Sequence, residues 1–171
     1  NKDFADALRS HHSVSKFRDL YTFYYPGFNL RSTDLSAYLG LRQLNSLDLV
    51  AEQRRQLFVR YSDLLSDFWL QTSRCDYLSP FAYGTLVENA ESVYEYLLEN
   101  SIETRPLICG SMAQQPLWKI HNGAYSPFRY ADIVHNYGIY LPLHASMTLE
   151  DVEIVSALFK KVAIPYFMPT V

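Results

Sequence analysis

The sequence predicts an α+β domain in which long helices pack against a small sheet. An apolar stripe at helical spacing runs from Leu49 to Phe68, and the segment from Phe81 to Cys109 has the order strand, helix, strand. Of the 171 residues, 49% are hydrophobic and 19% are charged, which is typical of a chain that buries a sizeable core. We therefore expect one domain, or one domain and part of another.

The clearest helical patterns lie between residues 32 and 68. The Ser-Thr-Asp sequence of residues 32–34 offers side chains that cap helix N-termini, so a helix is expected to begin near Leu35. A longer helix is predicted from Leu49 to Phe68, because its apolar residues recur on one face. These apolar positions are Leu57, Phe58, Tyr61, Leu64, Leu65 and Phe68.

Strands are predicted in the second half of the chain. They are Phe81–Val87, Ile102–Cys109 and Tyr137–Leu143. A helix from Ala90 to Leu98 follows the first strand, with Asn89 as its expected N-cap. Residues 110–130 are predicted to form a long loop or a helix turn, and long ordered loops are usually functional.

The last predicted element is a helix. The segment Thr148–Asp151 resembles a capping box, with Asp in place of the usual Glu. Val152, Val155, Phe159 and Val162 then fall on one side. Pro165 is expected to end this helix, because proline cannot continue its hydrogen bonding.

Composition argues against several classes of function. The net charge is -3 and the pI is about 5.9, so the chain lacks the basic footprint of a nucleic-acid-binding protein. No apolar run is long enough to span a bilayer. Cys75 and Cys109 lie far apart and form no CxxC pair, so we expect neither a disulfide framework nor a zinc site. A reducing, cytoplasmic location is therefore expected. The five histidines include no HExxH motif, and adjacent His11 and His12 have poor geometry for one ion, so we expect no metal.

Asn29 and Arg31 are the first candidate binding residues. They lie two apart, so in an extended segment both side chains point to the same side. Both precede a predicted helix N-terminus, where amide groups and the helix dipole favour an anion such as phosphate. The alternative is structural, in which Asn29 ends a Pro-Gly turn and Arg31 makes a surface ion pair.

Arg105 and His144 are further candidates, each at a predicted strand. Arg105 lies among apolar residues, so we expect it to be partly buried with an anionic partner, either a ligand or one of the glutamates. Gly110 would then allow a close backbone approach in the following turn. His144 follows the third strand, where a histidine is catalytic, ligand-binding or simply structural.

Three segments together resemble one family. PGFNLRSTDLSAYLGLRQLNSLD, beginning at Pro26, is similar to a G-[YF]-N-x-R segment followed by a helix with a G-x-x-Q-L pattern. A second segment, NSIETRPLICGSMAQQPLW, is similar to the family's strand and the loop that follows it. A third segment, GIYLPLHASMTLEDVEIV, is similar to its closing strand, a histidine and the last helix. These segments occur in this order in the DegT/DnrJ/EryC1/StrS sugar aminotransferases, and the resemblance covers nearly the whole chain.

The resemblance implies the fold type I architecture of pyridoxal phosphate enzymes, of which this chain matches the C-terminal half. Residues 1–30 would be the end of the large cofactor domain and a linker. Residues 31–171 would be the connecting helices and the C-terminal small domain, with a small antiparallel sheet. A homodimer with a nucleotide-sugar substrate is implied for the complete enzyme.

The resemblance also implies roles for five residues. Asn29 would contact the phosphate of pyridoxal phosphate, usually in the neighbouring subunit's site, and Arg31 would contact that phosphate or the substrate. Arg105, His144 and Tyr25 would be substrate-binding residues, with Arg105 on the nucleotide-sugar side of the pocket.

The catalytic lysine of the family has no counterpart in this sequence. The lysines are Lys2, Lys16, Lys119, Lys160 and Lys161, and none lies in the family's lysine motif. We therefore assign no catalytic residue and expect the chain to be inactive alone and not to bind the cofactor by itself.

Two alternatives to a sugar aminotransferase remain open from the sequence. The Arg-Pro loop also resembles the branch that removes the sugar 3-hydroxyl, in which histidine replaces the lysine. A non-catalytic α+β module that mediates dimerisation or another interaction would reuse the same half-fold without binding cofactor or nucleotide sugar.

Overall fold

The computed structural model describes Phe17 and residues 33–71, 73, 75, 77–122 and 127–168. A helical segment begins the long described stretch that starts at residue 33. Helix α1, Asp34–Gln43, begins after Thr33, whose Oγ1 accepts a hydrogen bond from the Ser36 amide at 3.1 Å. This confirms the predicted cap. A 3-10 turn, Leu44–Ser46, leads into α2, Leu47–Leu64.

Helix α2 ends at Leu64, and the prediction that it extends to Phe68 is wrong. The chain turns after Leu65, and the Phe68 amide donates to the Leu65 carbonyl at 2.9 Å. Phe68 thereby packs against the ring of Phe159, with ring centroids 5.0 Å apart. The apolar stripe faces the core as expected, with Phe58 and Leu64 only partly buried, but its last residue reaches the core from a turn.

Among the residues that the structure describes, the sheet has three antiparallel strands in the order β1-β3-β2. They are β1, Ala82–Leu86, β2, Arg105–Pro106, and β3, Gly138–Pro142. The predicted strand from Ile102 to Cys109 is therefore wrong in length. Ser101 and Ile108 have φ angles of 62° and 51°, and these left-handed turns leave only a short extended segment between them.

The remaining helices surround this sheet. They are α3, Ala90–Glu99, a 3-10 turn, Met112–Gln114, α4, Pro116–Asn122, α5, Arg129–Tyr137, and α6, Leu149–Val162. Residues 110–130 thus contain helices as well as loop. Helix α5 lacks a side-chain cap on its N-cap residue Phe128, whose amide instead donates to Asp132 Oδ2 at 2.9 Å. Within the described ranges, no helix has the length and apolar character needed to cross a membrane.

The main core lies between one face of the sheet and helices α2, α3 and α6. Tyr83 of β1 stands opposite Leu141 of β3, and both are fully buried on this face. The core residues from the helices include Leu57, Tyr61, Val93, Leu97, Val152 and Phe159. Because side chains alternate along a strand, Gly84 and Tyr140 lie on the opposite face, which is only partly covered.

Asn89 connects α3 with the end of α6, although the sequence predicts it as a helix cap. It precedes α3, but its side chain makes no capping hydrogen bond to that helix. Its Nδ2 donates to the Val162 carbonyl at 2.8 Å, and its Oδ1 accepts from the Ile164 amide at 2.9 Å. Asn89 is thus the N-cap residue that the sequence predicts, but its side-chain amide bonds the last residue of α6 and Ile164 beyond it instead of capping α3.

Replacing Asn89 with alanine should lower the free energy of unfolding by about 1–3 kcal/mol, because two main-chain groups lose their partner. Urea denaturation of the chain measures this change. Asn100→Ala is the matched control, since its Nδ2 bonds only the Tyr96 carbonyl of its own helix. Equal losses for the two variants would contradict the role of Asn89.

Two stacked tyrosines join α2 to the sheet. The rings of Tyr61 and Tyr83 lie 5.0 Å apart at 27°, and both residues are fully buried. The Tyr61 hydroxyl donates to the Pro142 carbonyl at 3.0 Å. Tyr83 Oη makes no hydrogen bond of normal geometry in the described part of the chain, and the nearby Ser62 hydroxyl, which donates to the Phe58 carbonyl, only partly offsets the effect of burial on the Tyr83 pKa. Burial raises the pKa of both phenols, that of Tyr83 to about 12.

This contrast predicts that two substitutions of the same kind change the free energy of unfolding differently. Tyr61→Phe should destabilise the chain by about 1–2 kcal/mol, because it removes a buried hydrogen bond to Pro142. Tyr83→Phe should be neutral or stabilising, because it removes a buried hydroxyl that has no described partner. Urea midpoints compare the two, and a larger loss for Tyr83→Phe would refute this assignment of the hydrogen bonds.

Candidate functional site

A cavity of about 680 Å³, here called the polar cavity, opens at the end of β3. Its walls come from the segment before β2, from the loop after β3 and from the first turns of α6. The polar side chains in these walls are Ser101, Glu103, Thr104, Arg105, His144, Ser146 and Asp151. Phe81, Ile102, Tyr140, Met147 and Val155 are among the apolar ones.

Arg105 is exposed, so the prediction that it is partly buried is wrong. Its side chain retains 54% of its accessible surface, and its Nη2 lies 2.6 Å from Glu103 Oε1. Because β2 is a short edge strand, Arg105 stands opposite Tyr140 on the face of the sheet that the core does not cover. The expectation that Arg105 pairs with a glutamate is therefore correct, but the pair lies at the surface and not in the interior.

His144 is exposed in the loop that follows β3 and lines the same cavity as Arg105. The loop turns at this point, and the Met147 amide donates to the His144 carbonyl at 3.0 Å. The fold thus brings together two of the predicted site residues from distant parts of the sequence. Asn29, Arg31 and Tyr25 lie outside the described residues, and their roles stay predictions.

Asp151 adds a carboxylate to the wall of the polar cavity. Its Oδ2 accepts from the Thr148 amide at 2.7 Å, while its own amide donates to Thr148 Oγ1 at 3.1 Å. This confirms the predicted capping box at the start of α6. The hydrogen bond from the Thr148 amide lowers the pKa of Asp151, so the carboxylate stays ionised at neutral pH. The cavity therefore combines one guanidinium and one imidazole with two carboxylates.

A second cavity of about 300 Å³, here called the aromatic cavity, lies against the uncovered sheet face. It shares Phe81, Ala82 and Tyr140 with the polar cavity, and the Phe81 and Tyr140 rings lie 5.4 Å apart. Its other lining residues are Phe58, Trp69, Leu70, Gln71, Ser73, Leu78, Pro80, Gly84 and Leu107. Sequence reasoning missed this cavity, although a glycine inside a strand is a signal of close packing.

The turn after β2 packs against α5. Gly110 has a φ angle of 59°, and a Cβ at this position would lie 2.6 Å from the His135 Cα. This confirms the predicted close backbone approach. The Ser111 amide donates to His135 Nδ1 at 3.3 Å, which holds the turn in place.

Cys75 and Cys109 are free thiols, and the described residues contain no group of three metal-ligating side chains.

Comparison with known proteins identifies the family. The sequence matches the DegT/DnrJ/EryC1/StrS aminotransferase family over residues 2–160. The chain belongs to this family. The resemblance inferred from the sequence is thereby confirmed.

Two curated relatives are similar to parts of the chain. The lipopolysaccharide biosynthesis protein RfbH of Salmonella typhimurium is 26% identical over 82% of this chain and 35% of its own length. The GDP-4-keto-6-deoxy-D-mannose 3-dehydratase of Yersinia pseudotuberculosis is 25% identical over 58% of this chain and 27% of its own length. The chain thus spans about a third of these relatives.

Solved structures confirm the fold class. A DegT DnrJ EryC1 StrS aminotransferase from Brucella abortus, 20% identical, superposes over 94% of this chain and 44% of its own, with a TM-score of 0.66. The E. coli GDP-4-keto-6-deoxy-D-mannose-3-dehydratase with bound hydrated PLP, 18% identical, superposes over 86% and 40%, with a TM-score of 0.61. Pyridoxal phosphate is thus a cofactor of enzymes with this fold.

Proposed function

We propose that this chain is the C-terminal part of a pyridoxal phosphate-dependent nucleotide-sugar aminotransferase that supplies amino sugars for polysaccharide synthesis. The observation that carries the proposal is that Arg105 and His144 line one polar cavity. Family membership supports the reaction class, and similarity to a lipopolysaccharide biosynthesis protein supports the sugar substrate.

In this proposal Arg105 binds the substrate's anionic part. Its guanidinium is more than half exposed, so a phosphate oxygen reaches it without any change in the core. The Glu103 carboxylate holds the guanidinium in place with hydrogen bonds of 2.6 and 3.1 Å. His144 and the ionised Asp151 face the same space and would hydrogen-bond sugar hydroxyls.

The described residues do not by themselves fit the cofactor. Pyridoxal phosphate supplies an electron sink for carbanion chemistry once a lysine holds it covalently. No lysine lines the polar cavity among the described residues, and Lys160 donates instead to the Leu64 carbonyl at 2.9 Å. We propose that Asn29 and Arg31 bind the cofactor phosphate and that the lysine belongs to a part of the protein beyond this chain.

We further propose that residues 1–30 end the cofactor domain and that residues 31–171 form the connecting helices and the small domain. A homodimer fits the exposed apolar residues of the helical segment, where Leu35, Leu41 and Leu49 each retain more than 60% of their accessible surface. A cytoplasmic location fits the two free thiols.

A second candidate is a nucleotide-sugar 3-dehydratase. One curated relative of this chain is such an enzyme, acting on a GDP-linked sugar. A dehydratase would bind the same class of substrate, and it differs from an aminotransferase in having histidine in place of the catalytic lysine. The binding role of the polar cavity is therefore the same under both candidates.

Calorimetric titration with GDP-mannose tests this role. Arg105→Gln should weaken binding by about 10-fold to 100-fold, because a charge-assisted hydrogen bond is lost. Arg129→Gln is the matched control, since this exposed arginine of α5 lies outside the polar cavity. Unchanged binding by Arg105→Gln would rule out the proposed site.

Borohydride labelling tests whether the chain holds the cofactor alone. After addition of pyridoxal phosphate and borohydride, we expect no stoichiometric label on any one lysine, because no described lysine lines the polar cavity. Peptide mass spectrometry locates the label. A single lysine labelled to completion would contradict the expected inactivity of the chain.

A further inference from the structure

We propose that Leu107 is a positioning residue for the candidate site, because it fixes the register of β2 and thereby places Arg105 in the polar cavity. The inference rests on the proposed function, since it concerns how Arg105 of that site is held. Leu107 lies two residues beyond Arg105, so both side chains extend over the face of the sheet that the core does not cover. A contact that holds Leu107 therefore also limits the movement of Arg105.

Backbone pairing alone holds β2 weakly. The strand has two residues, and the second of them, Pro106, has no amide hydrogen to donate to β3. Just beyond the strand, the Leu107 amide donates to the Gly138 carbonyl at 3.2 Å, the upper end of the usual range for such bonds. A strand this short depends on its side chains and its turns for its register.

The side chain of Leu107 contacts both other strands at a pair of glycines, Gly84 and Gly138, here called the glycine notch. A Cβ at Gly138 of β3 would lie 2.5 Å from the Leu107 Cβ and 3.3 Å from its Cδ2. A Cβ at Gly84 of β1 would lie 2.7 Å from the Leu107 Cδ1. Leu107 therefore crosses the central strand over one glycine and ends against a second glycine on the outer strand.

The glycine notch fits Leu107 in the observed register. Arg105 stands opposite Tyr140 in this register, which puts Leu107 beside Gly138, the single glycine of β3. A slip of β2 by two residues would keep the same face but set Leu107 opposite the ring of Tyr140 or beyond the end of β3. Such a slip would also move Arg105 by about 7 Å along β3, away from Tyr140 in the wall of the polar cavity.

The turn after Leu107 shows that the end of β2 is held against a backbone preference. Ile108 has a φ angle of 51°, a left-handed conformation that is unfavourable for a β-branched residue. Its side chain is 55% exposed, so burial at this position does not offset the strain. Such strain persists where surrounding contacts determine the conformation. The contacts here are those of Leu107 with the glycine notch and of Gly110 with His135.

A pair of variants that exchanges the sizes of two contacting side chains tests the positioning role. Gly84→Ala should weaken the binding of GDP-mannose by about 10-fold, because the added methyl displaces Leu107 and with it the charge-assisted hydrogen bonds of Arg105. Leu107→Val removes the Cδ1 that this methyl would meet. The double variant, Gly84→Ala with Leu107→Val, should therefore recover an affinity within about 3-fold of that of the unmodified chain. Calorimetry measures each affinity.

Truncation of Leu107 separates positioning from stability. Leu107→Ala should weaken the binding of GDP-mannose by about 10-fold, because the side chain no longer reaches the glycine notch. Val93→Ala is the matched control, since Val93 is fully buried in α3 and is not among the described lining residues of either cavity. This control should lower the urea midpoint and leave the affinity of the folded chain unchanged. If Leu107→Ala does not fold, Gly84→Ala and the double variant decide the question.

Unchanged affinity in Gly84→Ala, together with a loss of affinity in Arg105→Gln, would overturn the positioning role and leave the proposed function standing. A double variant that binds as weakly as Gly84→Ala would also overturn it. If the unmodified chain does not bind GDP-mannose, the proposed function fails, and hydrogen exchange of the Leu107 amide measured by NMR still tests the register. Gly84→Ala should speed this exchange by about 10-fold and the double variant should restore it, whereas equal rates in all three chains would refute the role of the glycine notch.

Discussion

The hydrogen bond from Tyr61 to the Pro142 carbonyl fixes the end of β3 against α2, and the polar cavity is built around that end. The Tyr61 ring also stacks on Tyr83, so the same residue holds the central and the outer strand against one helix. The loop carrying His144 leaves the sheet directly after this anchored point. The position of the candidate site thus depends on this contact between α2 and the end of β3.

The two faces of the sheet have different surroundings, and the alternation of side chains along each strand explains the difference. Tyr83 and Leu141 close the core, while their neighbours Gly84 and Tyr140 line cavities on the other face. Antiparallel pairing of β2 with β3 brings Arg105 beside the end of β3 and hence near His144. Neither residue belongs to the core, and both are exposed.

Local patterns in the sequence predict the elements that local forces determine. The stripe containing Leu57 and Tyr61, the capping box at Thr148 and the strand that ends at Pro142 all follow from spacing and side-chain chemistry. The exposure of Arg105 does not follow, because it depends on the position of β2 at the edge of the sheet. The side-chain bonds of Asn89 show the same limit, since its partners are the last residue of α6 and Ile164 beyond it, and no residue near Asn89 in the sequence indicates them. The family resemblance predicts the shared site of Arg105 and His144, but not the aromatic cavity beside it.

A crystal structure of the chain with GDP-mannose would test the central claim most directly. The account predicts electron density for the diphosphate beside Arg105 and for the sugar near His144, within the cavity at the end of β3. Density for the nucleotide sugar at any other surface, with this cavity filled only by water, would contradict it.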